Sequence, residues 1–364
     1  MVLVNARHVK GVPGKKTDVC DAQWLQQLHS AGLLKKSFRP HKDIVPLRYL
    51  MRHRAELVGE AARQLLLAQK VLTEMNLHLH HVFSDLDGDS AQRIVEAILA
   101  GERDAVKLAG LRDSRCRTPV GKVLEALQGD YRGEYLFVLK QCQERRAQIA
   151  AALAACDAEI AQLSAKVCGD ATGPAPAAPA AARRAHKNSA ALPIYEEAWR
   201  YYGVDLSAID GIGASTLGVL MSEVGTGRQL RAAFRSAHAF ASWLGLCPDN
   251  RVSGGKVLRA KTRKVQSRVA GALRLAAQAL RNSQSRLGDF SRRLKGRLGK
   301  AEGITATAHK LARIIYGMIV SRKAYDEAEA FQITPATHHR RVRHLYKQAE
   351  TLGFQLIPIT TLAS

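Results

Sequence analysis

The chain has 364 residues, enough for two or three domains, and its 55 Lys and Arg against 32 Asp and Glu give a formal net charge of +23. No apolar run approaches the roughly 18 residues that span a bilayer, and the first residues lack the apolar core of a signal peptide, so we expect no membrane partner. Six scattered cysteines without CxxC spacing argue against a zinc site and a disulfide framework, and indicate the reduced thiols of a cytoplasmic protein.

The first informative segment leads into a helix. Residues 2–4 (VLV) predict a short strand, and Thr17 or Asp18 predicts the start of a helix. Asp18 and Asp21 are three apart, so both carboxylates lie on one helical face and could share a divalent cation such as Mg2+. The alternative is that Asp18 caps the helix and Asp21 favours its positive end, and the spacing alone favours this alternative.

Two long helices are predicted next. Apolar residues at three-and-four spacing predict an amphipathic helix over 47–77. Two seven-residue series of apolar positions predict a second long helix over 139–167, as an antiparallel coiled coil within the chain or a dimer seam between chains. Between them, residues 83–130 predict shorter helices, and the acidic run DLDGD at 85–89 is interpreted as a turn that caps the next helix.

An Ala- and Pro-rich stretch, residues 169–191, predicts a linker between domains. Beyond it, the sequence IDGIG at 209–213, followed by an apolar run, resembles a helix-hairpin-helix. In that motif, backbone N–H groups around Gly211 and Gly213 face a DNA phosphate. The alternative is a tight turn between helices with no ligand, and the basic segment downstream favours DNA.

The stretch Leu244–Lys264 is the most informative part of the chain. Ser253 stands before Gly254-Gly255, a pair that lets a backbone approach a ligand closely. A cluster of cations follows: Lys256, Arg259, Lys261, Arg263 and Lys264. Residues 251–300 hold fifteen Lys or Arg and one acid, Asp289, a net charge of +14, which favours a nucleic-acid partner. A hydroxyl in this setting can contact or attack a phosphate, and an ordinary polar loop is the alternative.

The remaining elements are also helical. Further helices are predicted at Val265–Ala279 and Ile304–Tyr325, with His309 interpreted as structural or solvated. A basic helix is predicted at His338–Lys347, where phosphate contact is favoured over a metal site. With 46% apolar and only 5% aromatic residues, the chain is predicted to be mainly α.

Several of these motifs occur together in one family. The chain resembles the bacterial insertion-sequence transposases of the DEDD and serine type, which include Piv-type DNA invertases and RNA-guided recombinases. The resemblance covers nearly the whole chain, and the order of its motifs is more specific than any one of them. They are VKGVPGKKTDVCDA at 9–22, the coiled-coil region, IDGIG at 209–213, FASWLGLCP at 240–248 with SGGK at 253–256, and AHKLARIIY at 308–316 with the basic tail.

The resemblance implies a chemistry and a set of partners. It implies that Ser253 is a nucleophile that forms a covalent phosphoserine link to DNA, and that Asp18 and Asp21 match the third and fourth of four acids that bind Mg2+. Lys256 is inferred to help hold the phosphate. DNA is the implied partner, together with a guide RNA and a second copy of the chain bound through the coiled coil. A bacterial cytoplasm, in association with the nucleoid, is the implied location.

The resemblance also predicts the fold and its divisions. It implies a mainly α protein with a remnant of an RNase-H-like (RuvC-type) α/β domain, long coiled-coil helices, and a helical C-terminal transposase domain with the helix-hairpin-helix-like motif. The predicted divisions are residues 1–45 for the partial catalytic domain, 46–168 for the coiled-coil region, 169–191 for the linker, 192–330 for the transposase domain and 331–364 for the basic tail.

One departure from the family limits the expected activity. The family's first Asp and its Glu lie well upstream of the motif with Asp18 and Asp21, whereas residues 1–17 contain no acid. The chain is therefore expected to be N-terminally truncated and inactive on its own, or nearly so. Two alternatives to a transposase or recombinase are a fragment that binds DNA or RNA without catalysis, and a metal-dependent junction nuclease that does not use the serine.

Overall fold

A computed structural model describes residues 3–4, 18–34, 36–177, 190–259, 261–263, 265–332 and 335–357. The chain divides into two compact units. The first comprises Met1–Gly203 and Leu217–Ala233, and the second comprises Val204–Thr216 and Phe234–Ser364. The mainly helical class predicted from composition and periodicity is confirmed. None of the described helices is long and apolar enough to cross a membrane.

Helices make up most of the first unit. Its helices are α1 (Asp18–Ser30), α2 (Val45–Glu74), α3 (Leu79–Val82), α4 (Asp89–Leu99), α5 (Ala105–Gly110), α6 (Val120–Ala126), α7 (Gly133–Lys166), α8 (Ile194–Tyr202), most of α9 (Ala214–Val224) and α10 (Gly227–Ala233). Near the predicted N-terminal strand, Val4 forms an isolated antiparallel bridge with Lys36. Residues 5–17, among them the predicted helix start at Thr17, lie outside the described residues.

The two predicted long helices are confirmed as α2 and α7, which pack against each other. The chain runs antiparallel in this pair, because Arg54 of α2 contacts Asp157 of α7, whereas residues near the end of α2 share a core with residues near the start of α7. The predicted heptad positions Leu139, Cys142 and Ile160 are buried in the first unit. The apolar seam is therefore used within the chain.

Shorter helices build a second layer of core against this pair. Buried residues of α4, α5 and α6, among them Ile94, Leu108 and Val123, join one apolar cluster with the α2 and α7 residues. The predicted turn at 85–89 is present, since the backbone N–H of Asp87 donates to the Asp85 carboxylate over 2.9 Å, but Gly88 precedes α4 and no side chain of the turn caps the helix. Such a side-chain turn is a local property of the sequence and needs no tertiary contact.

Buried carboxylates hold Leu217–Ala233 in the first unit. Glu223 of α9 accepts hydrogen bonds from Arg48 at 2.8 Å and from Arg52 at 2.7 and 2.8 Å. Asp170 accepts a hydrogen bond from Arg231 of α10 at 2.5 Å. Both carboxylates are almost fully buried, and the hydrogen-bonded guanidinium partners offset the cost of burying them.

The second unit is organised around one long helix. Its elements are the remainder of α9, α11 (Ala237–Trp243), β1 (Arg251–Ser253), β2 (Lys256–Arg259), α12 (Arg268–Ala279), α13 (Arg286–Leu298), α14 (Lys300–Ser321), α15 (Glu327–Ala330) and α16 (Pro335–Thr351). Helix α14 packs against α11, α12 and α13. Its Tyr316 hydroxyl donates to the Phe234 carbonyl oxygen over 2.6 Å inside the core.

Serines define where three of these helices begin. The hydroxyls of Ser236, Ser267 and Ser285 accept hydrogen bonds from backbone N–H groups three residues ahead, at the starts of α11, α12 and α13. The helix predicted from Val265 therefore begins at Arg268, directly after the Ser267 cap. The helix predicted over Ile304–Tyr325 is displaced by about one turn and ends where Arg322 adopts a left-handed φ of 55°.

The α2–α7 pair gives a test of the first unit. Asp157, buried on α7, accepts hydrogen bonds from Arg54 at 2.5 and 3.2 Å and from the Ala191 N–H at 3.0 Å. We expect Asp157→Ala to lower the free energy of unfolding by about 3 kcal/mol, because it leaves the Arg54 charge buried without this partner. Urea denaturation measures the change. The matched control is Glu159→Ala, an exposed acid on the same helix, which should change stability by less than about 0.5 kcal/mol.

Candidate functional site

Ser253 lies at the tip of a two-stranded hairpin. Strands β1 and β2 are antiparallel, and the residue pair next to the turn is Ser253 and Lys256. Gly254 and Gly255 form the turn with φ of 54° and 73°. Positive φ at both central residues is the requirement of the type I′ turns that close two-residue hairpins, so this glycine pair determines the geometry. The Ser253 side chain is exposed to solvent.

The base of the hairpin is anchored to α11. Pro248 pairs with Thr262 in an antiparallel bridge, and the Asp249 N–H donates to the Lys261 carbonyl oxygen over 3.0 Å. The Arg263 guanidinium donates to the carbonyl and, over 3.0 Å, to the hydroxyl of Ser242 near the end of α11. The part of the hairpin that carries Ser253 therefore projects from a base that is fixed by backbone and side-chain contacts.

No described side chain donates a hydrogen bond to, or accepts one from, the Ser253 hydroxyl. A serine hydroxyl is a weak nucleophile at neutral pH and needs a group that takes its proton or stabilises its anion. Among the side chains that the structure describes, none supplies that group, and the side chains of Lys256 and Arg259 in the hairpin itself lie outside the described residues.

The predicted basic cluster is described only in part. The Lys261 side chain is exposed, and that of Arg263 is half-buried through its contact with Ser242. The backbones of Lys256 and Arg259 are in β2, whereas their side chains and the whole of Lys264 lie outside the described residues. Of the two cluster residues whose side chains are described, Arg263 contacts Ser242 and Lys261 is exposed to solvent.

The IDGIG turn has a clear packing role. Gly211 has a φ of 84°, and a Cβ there would lie 2.7 Å from the Ala276 carbonyl oxygen of α12. Asp210 accepts a hydrogen bond from the Ser283 hydroxyl over 2.6 Å. Around Gly213, by contrast, a Cβ would meet nothing within 4 Å, and α9 begins at the next residue. Contact between helices therefore accounts for Gly211, whereas Gly213 has open space where a ligand could approach.

The paired aspartates belong to the first unit. Helix α1 begins at Asp18 and contains Asp21, as the sequence predicts, and the three-residue spacing places both on one face. Their side chains lie outside the described residues. The donor set suits a hard divalent cation, because carboxylate oxygens are the ligands that Mg2+ accepts.

A group of softer ligands escapes sequence reasoning. His238 of α11, Cys247 before the hairpin and His309 of α14 each offer one ligand atom, and these atoms lie within 4.8 Å of one another. Burial raises the pKa of the Cys247 thiol, and burial, aided by Arg313, lowers the pKa of His309. Spacing along the chain carries no signal for this group, because its members come from three separate elements.

Comparisons with known families match two regions of the chain. Residues 1–77 match a transposase model of the DEDD, IS110 type, and residues 205–292 match the model described as transposase IS116/IS110/IS902 family. No curated protein matches the chain. The first region contains Asp18 and Asp21, and the second contains the IDGIG turn and the Ser253 hairpin.

The two glycines of the turn separate a packing role from a ligand-binding role. We expect Gly211→Ala to lower the free energy of unfolding by about 1–3 kcal/mol, because it combines a left-handed backbone with a close approach to Ala276. Gly213→Ala should leave stability within about 0.5 kcal/mol of the parent. If a phosphate approaches this backbone, the added methyl should weaken DNA binding by about tenfold.

Thermal unfolding and fluorescence anisotropy with a duplex measure the two effects. Gly271→Ala, within α12 and with no atom near its Cβ position, is the control for a helical glycine. Unchanged DNA affinity in a stable Gly213→Ala variant would leave the turn with a packing role alone.

Proposed function

Because this chain belongs to the IS110/IS116/IS902 family of transposases by both of its matched regions, we propose that it cuts and rejoins DNA with Ser253 as the nucleophile. The observation that carries this proposal is the exposed position of Ser253 at the end of a strand, directly before a two-glycine turn. This position gives a bulky phosphodiester access from solvent, which a serine in a packed core would not allow.

The chemistry follows from a serine placed in this way. The Ser253 Oγ attacks a DNA phosphorus, the bond from phosphorus to one bridging oxygen breaks, and a phosphoserine ester forms while the leaving oxygen takes up a proton. The hydroxyl proton passes to solvent or to a base outside the hairpin. Attack by a hydroxyl of another strand reverses the step, releases the serine and reseals the DNA without consuming a cofactor.

Positive charge near the serine supports the same reaction. Lys256 is the cross-strand partner of Ser253, and the exposed Lys261 follows on the second side of the hairpin. Lysine and arginine contacts to phosphates supply most of the sequence-independent affinity for DNA. We assign Lys256, Arg259, Lys261, Arg263 and Lys264 to DNA binding, with backbone N–H groups near Gly211 and Gly213 as further phosphate contacts.

A divalent metal is typical of DEDD transposases, and we propose Mg2+ held by Asp18 and Asp21. When bound, such an ion neutralises phosphate charge and stabilises an alkoxide. The support lies in the donor type and in the spacing on α1. We further propose that α1 and the preceding segment derive from an RNase-H-like (RuvC-type) domain, and that the IDGIG turn acts as a helix-hairpin-helix.

A guide RNA and a second copy of the chain are two further partners that we propose for this function. A guide RNA would suit the same basic surface as DNA, since both present a phosphate backbone. Self-association through the long helices, as a coiled coil, would need surfaces other than the heptad residues Leu139, Cys142 and Ile160, which are buried in the first unit.

A DNA-binding role without catalysis is the second candidate. The net charge of +14 in residues 251–300 favours DNA binding whether or not the serine reacts. Covalent capture of DNA separates the two functions.

The assignment of Ser253 as the nucleophile is tested with a labelled DNA that contains the two ends of the insertion sequence. In a form of the chain that also carries the family's two upstream acids, we expect Ser253 to form a denaturation-resistant DNA adduct and Ser253→Ala to form none while it still binds DNA, because only the attacking oxygen is lost. Ser321→Ala, an exposed serine on α14, is the matched control and should keep the adduct. An adduct in Ser253→Ala would overturn the assignment, and salt-sensitive binding without any adduct in the parent would favour the binding role.

The metal assignment is tested without relying on turnover. Asp18→Asn and Asp21→Asn should each weaken Mn2+ binding, measured by electron paramagnetic resonance, by about tenfold or more, since each removes a carboxylate ligand. Asp89→Asn, which removes a first-turn acid from α4, is the control for an effect on helix stability. If stability falls by about 1 kcal/mol and Mn2+ binding is unchanged, the two acids are helix-capping residues.

A further inference from the structure

We propose that His78, His80 and His81 form a binding site for a divalent transition-metal ion such as Zn2+. Each residue offers one ring nitrogen, and the three nitrogens lie within 4.8 Å of one another. Imidazole is a ligand that suits zinc, copper and nickel, whereas Mg2+ prefers oxygen, so this group and the paired aspartates select different ions. The transposition chemistry proposed for Ser253 makes no use of these histidines.

Two of the imidazoles carry buried nitrogens that lack a partner. The Nδ1 atoms of His78 and His80 are out of contact with solvent and make no hydrogen bond. Buried polar atoms in folded proteins are nearly always satisfied, and a cation bound within the cluster would account for both of these ring nitrogens. A metal ion bound between the rings would satisfy lone pairs that the protein leaves unused.

The His78 ring is held in the tautomer that binds a metal. Its Nε2 lies 3.0 Å from the Asn76 Oδ1, and the Asn76 Nδ2 donates to the Gln128 carbonyl oxygen over 3.1 Å. Because that second bond fixes which end of the amide faces His78, the Asn76 oxygen must accept a proton from Nε2. The His78 Nδ1 then keeps its lone pair, as in metal sites where a neighbouring group orients the ligand.

The backbone under the rings is fixed before any ion binds. Leu77 and Leu79 are fully buried on either side of His78, and Asn76 adopts a left-handed φ of 59° at the end of α2. The His78 N–H donates to the Ala126 carbonyl oxygen of α6 over 3.0 Å. The ring centroids are 4.2 to 6.0 Å apart. Three imidazoles are thus presented from a short, buried and hydrogen-bonded segment.

Electrostatics agrees with this geometry. Burial, followed by the neighbouring His81 and His78, lowers the pKa of His80. The group of His238, Cys247 and His309 differs, because Arg263 and Arg313 act on its thiol and oppose an incoming cation. Three protein ligands leave a fourth tetrahedral position for water or an external donor.

The test uses the tag-free full chain in a Cys247→Ser background, so that the thiol-containing group cannot supply the signal. After metal is removed with a chelator, we expect calorimetric titration with Zn2+ to show one saturable site. His80→Ala and His81→Ala should each weaken its affinity by about tenfold or more. His53→Ala, an exposed histidine on α2, should leave it unchanged.

A variant outside the ligand set tests the orienting contact. Asn76→Gly accepts the left-handed backbone and removes the Oδ1 acceptor, and we expect about a 10- to 100-fold loss of Zn2+ affinity. Circular dichroism checks the fold, and His81→Ala, which alters an exposed side chain, remains informative if His80→Ala does not fold. Absence of a saturable site, or equal affinities in the parent and His81→Ala, would overturn the proposal.

Discussion

Charge burial is the constraint on which the first unit depends. Glu223 and Asp170 lie in its interior, where an ionised carboxylate is tolerated only beside a hydrogen-bonded cation. Arg48 and Arg52 of α2 donate hydrogen bonds to Glu223, and Arg231 donates one to Asp170. These partners are far apart in sequence, so the ion pairs determine which residues of the first unit Leu217–Ala233 packs against. Apolar contacts of α9 are less directional and would determine this position less precisely. A buried ion pair adds little net stability, but removal of one partner leaves a buried charge without that contact and is strongly destabilising.

Local signals in the sequence account for most of the secondary structure. Periodicity predicts α2 and α7 to within a few residues, and the turn before α4 follows from the side chain of Asp85. Local signals do not predict which helices pack against each other. That the buried heptad residues pack within the chain depends on contacts between residues about 100 positions apart, and no local pattern distinguishes that from a seam between two chains.

In the candidate sites, too, some features follow from local sequence and others depend on contacts between distant residues. The sequence predicts a loop with Ser253 before Gly254-Gly255, whereas the structure makes these glycines the turn of a hairpin, with positive φ at both positions. The packing role of Gly211 is not visible, because it depends on a carbonyl oxygen of α12. The histidines at 78, 80 and 81 are close together in the sequence. The proposed metal site, however, rests on ring nitrogens without hydrogen-bond partners and on the contact with Asn76, and both arise only in the folded chain.

The stability of the hairpin bears on when Ser253, the proposed nucleophile, would become reactive. A two-stranded ribbon is at best marginally stable by itself in water, so the tip beyond the anchored base gains order chiefly from what binds to it. A phosphate backbone lying along the basic strand would supply that order and position the hydroxyl at the same moment. Binding energy from the duplex would then be used to assemble the reactive geometry. Under the proposed mechanism, a serine that became competent only on its substrate would leave other phosphate esters untouched, and the hairpin at 251–259 would then make the proposed nucleophile latent in the absence of DNA.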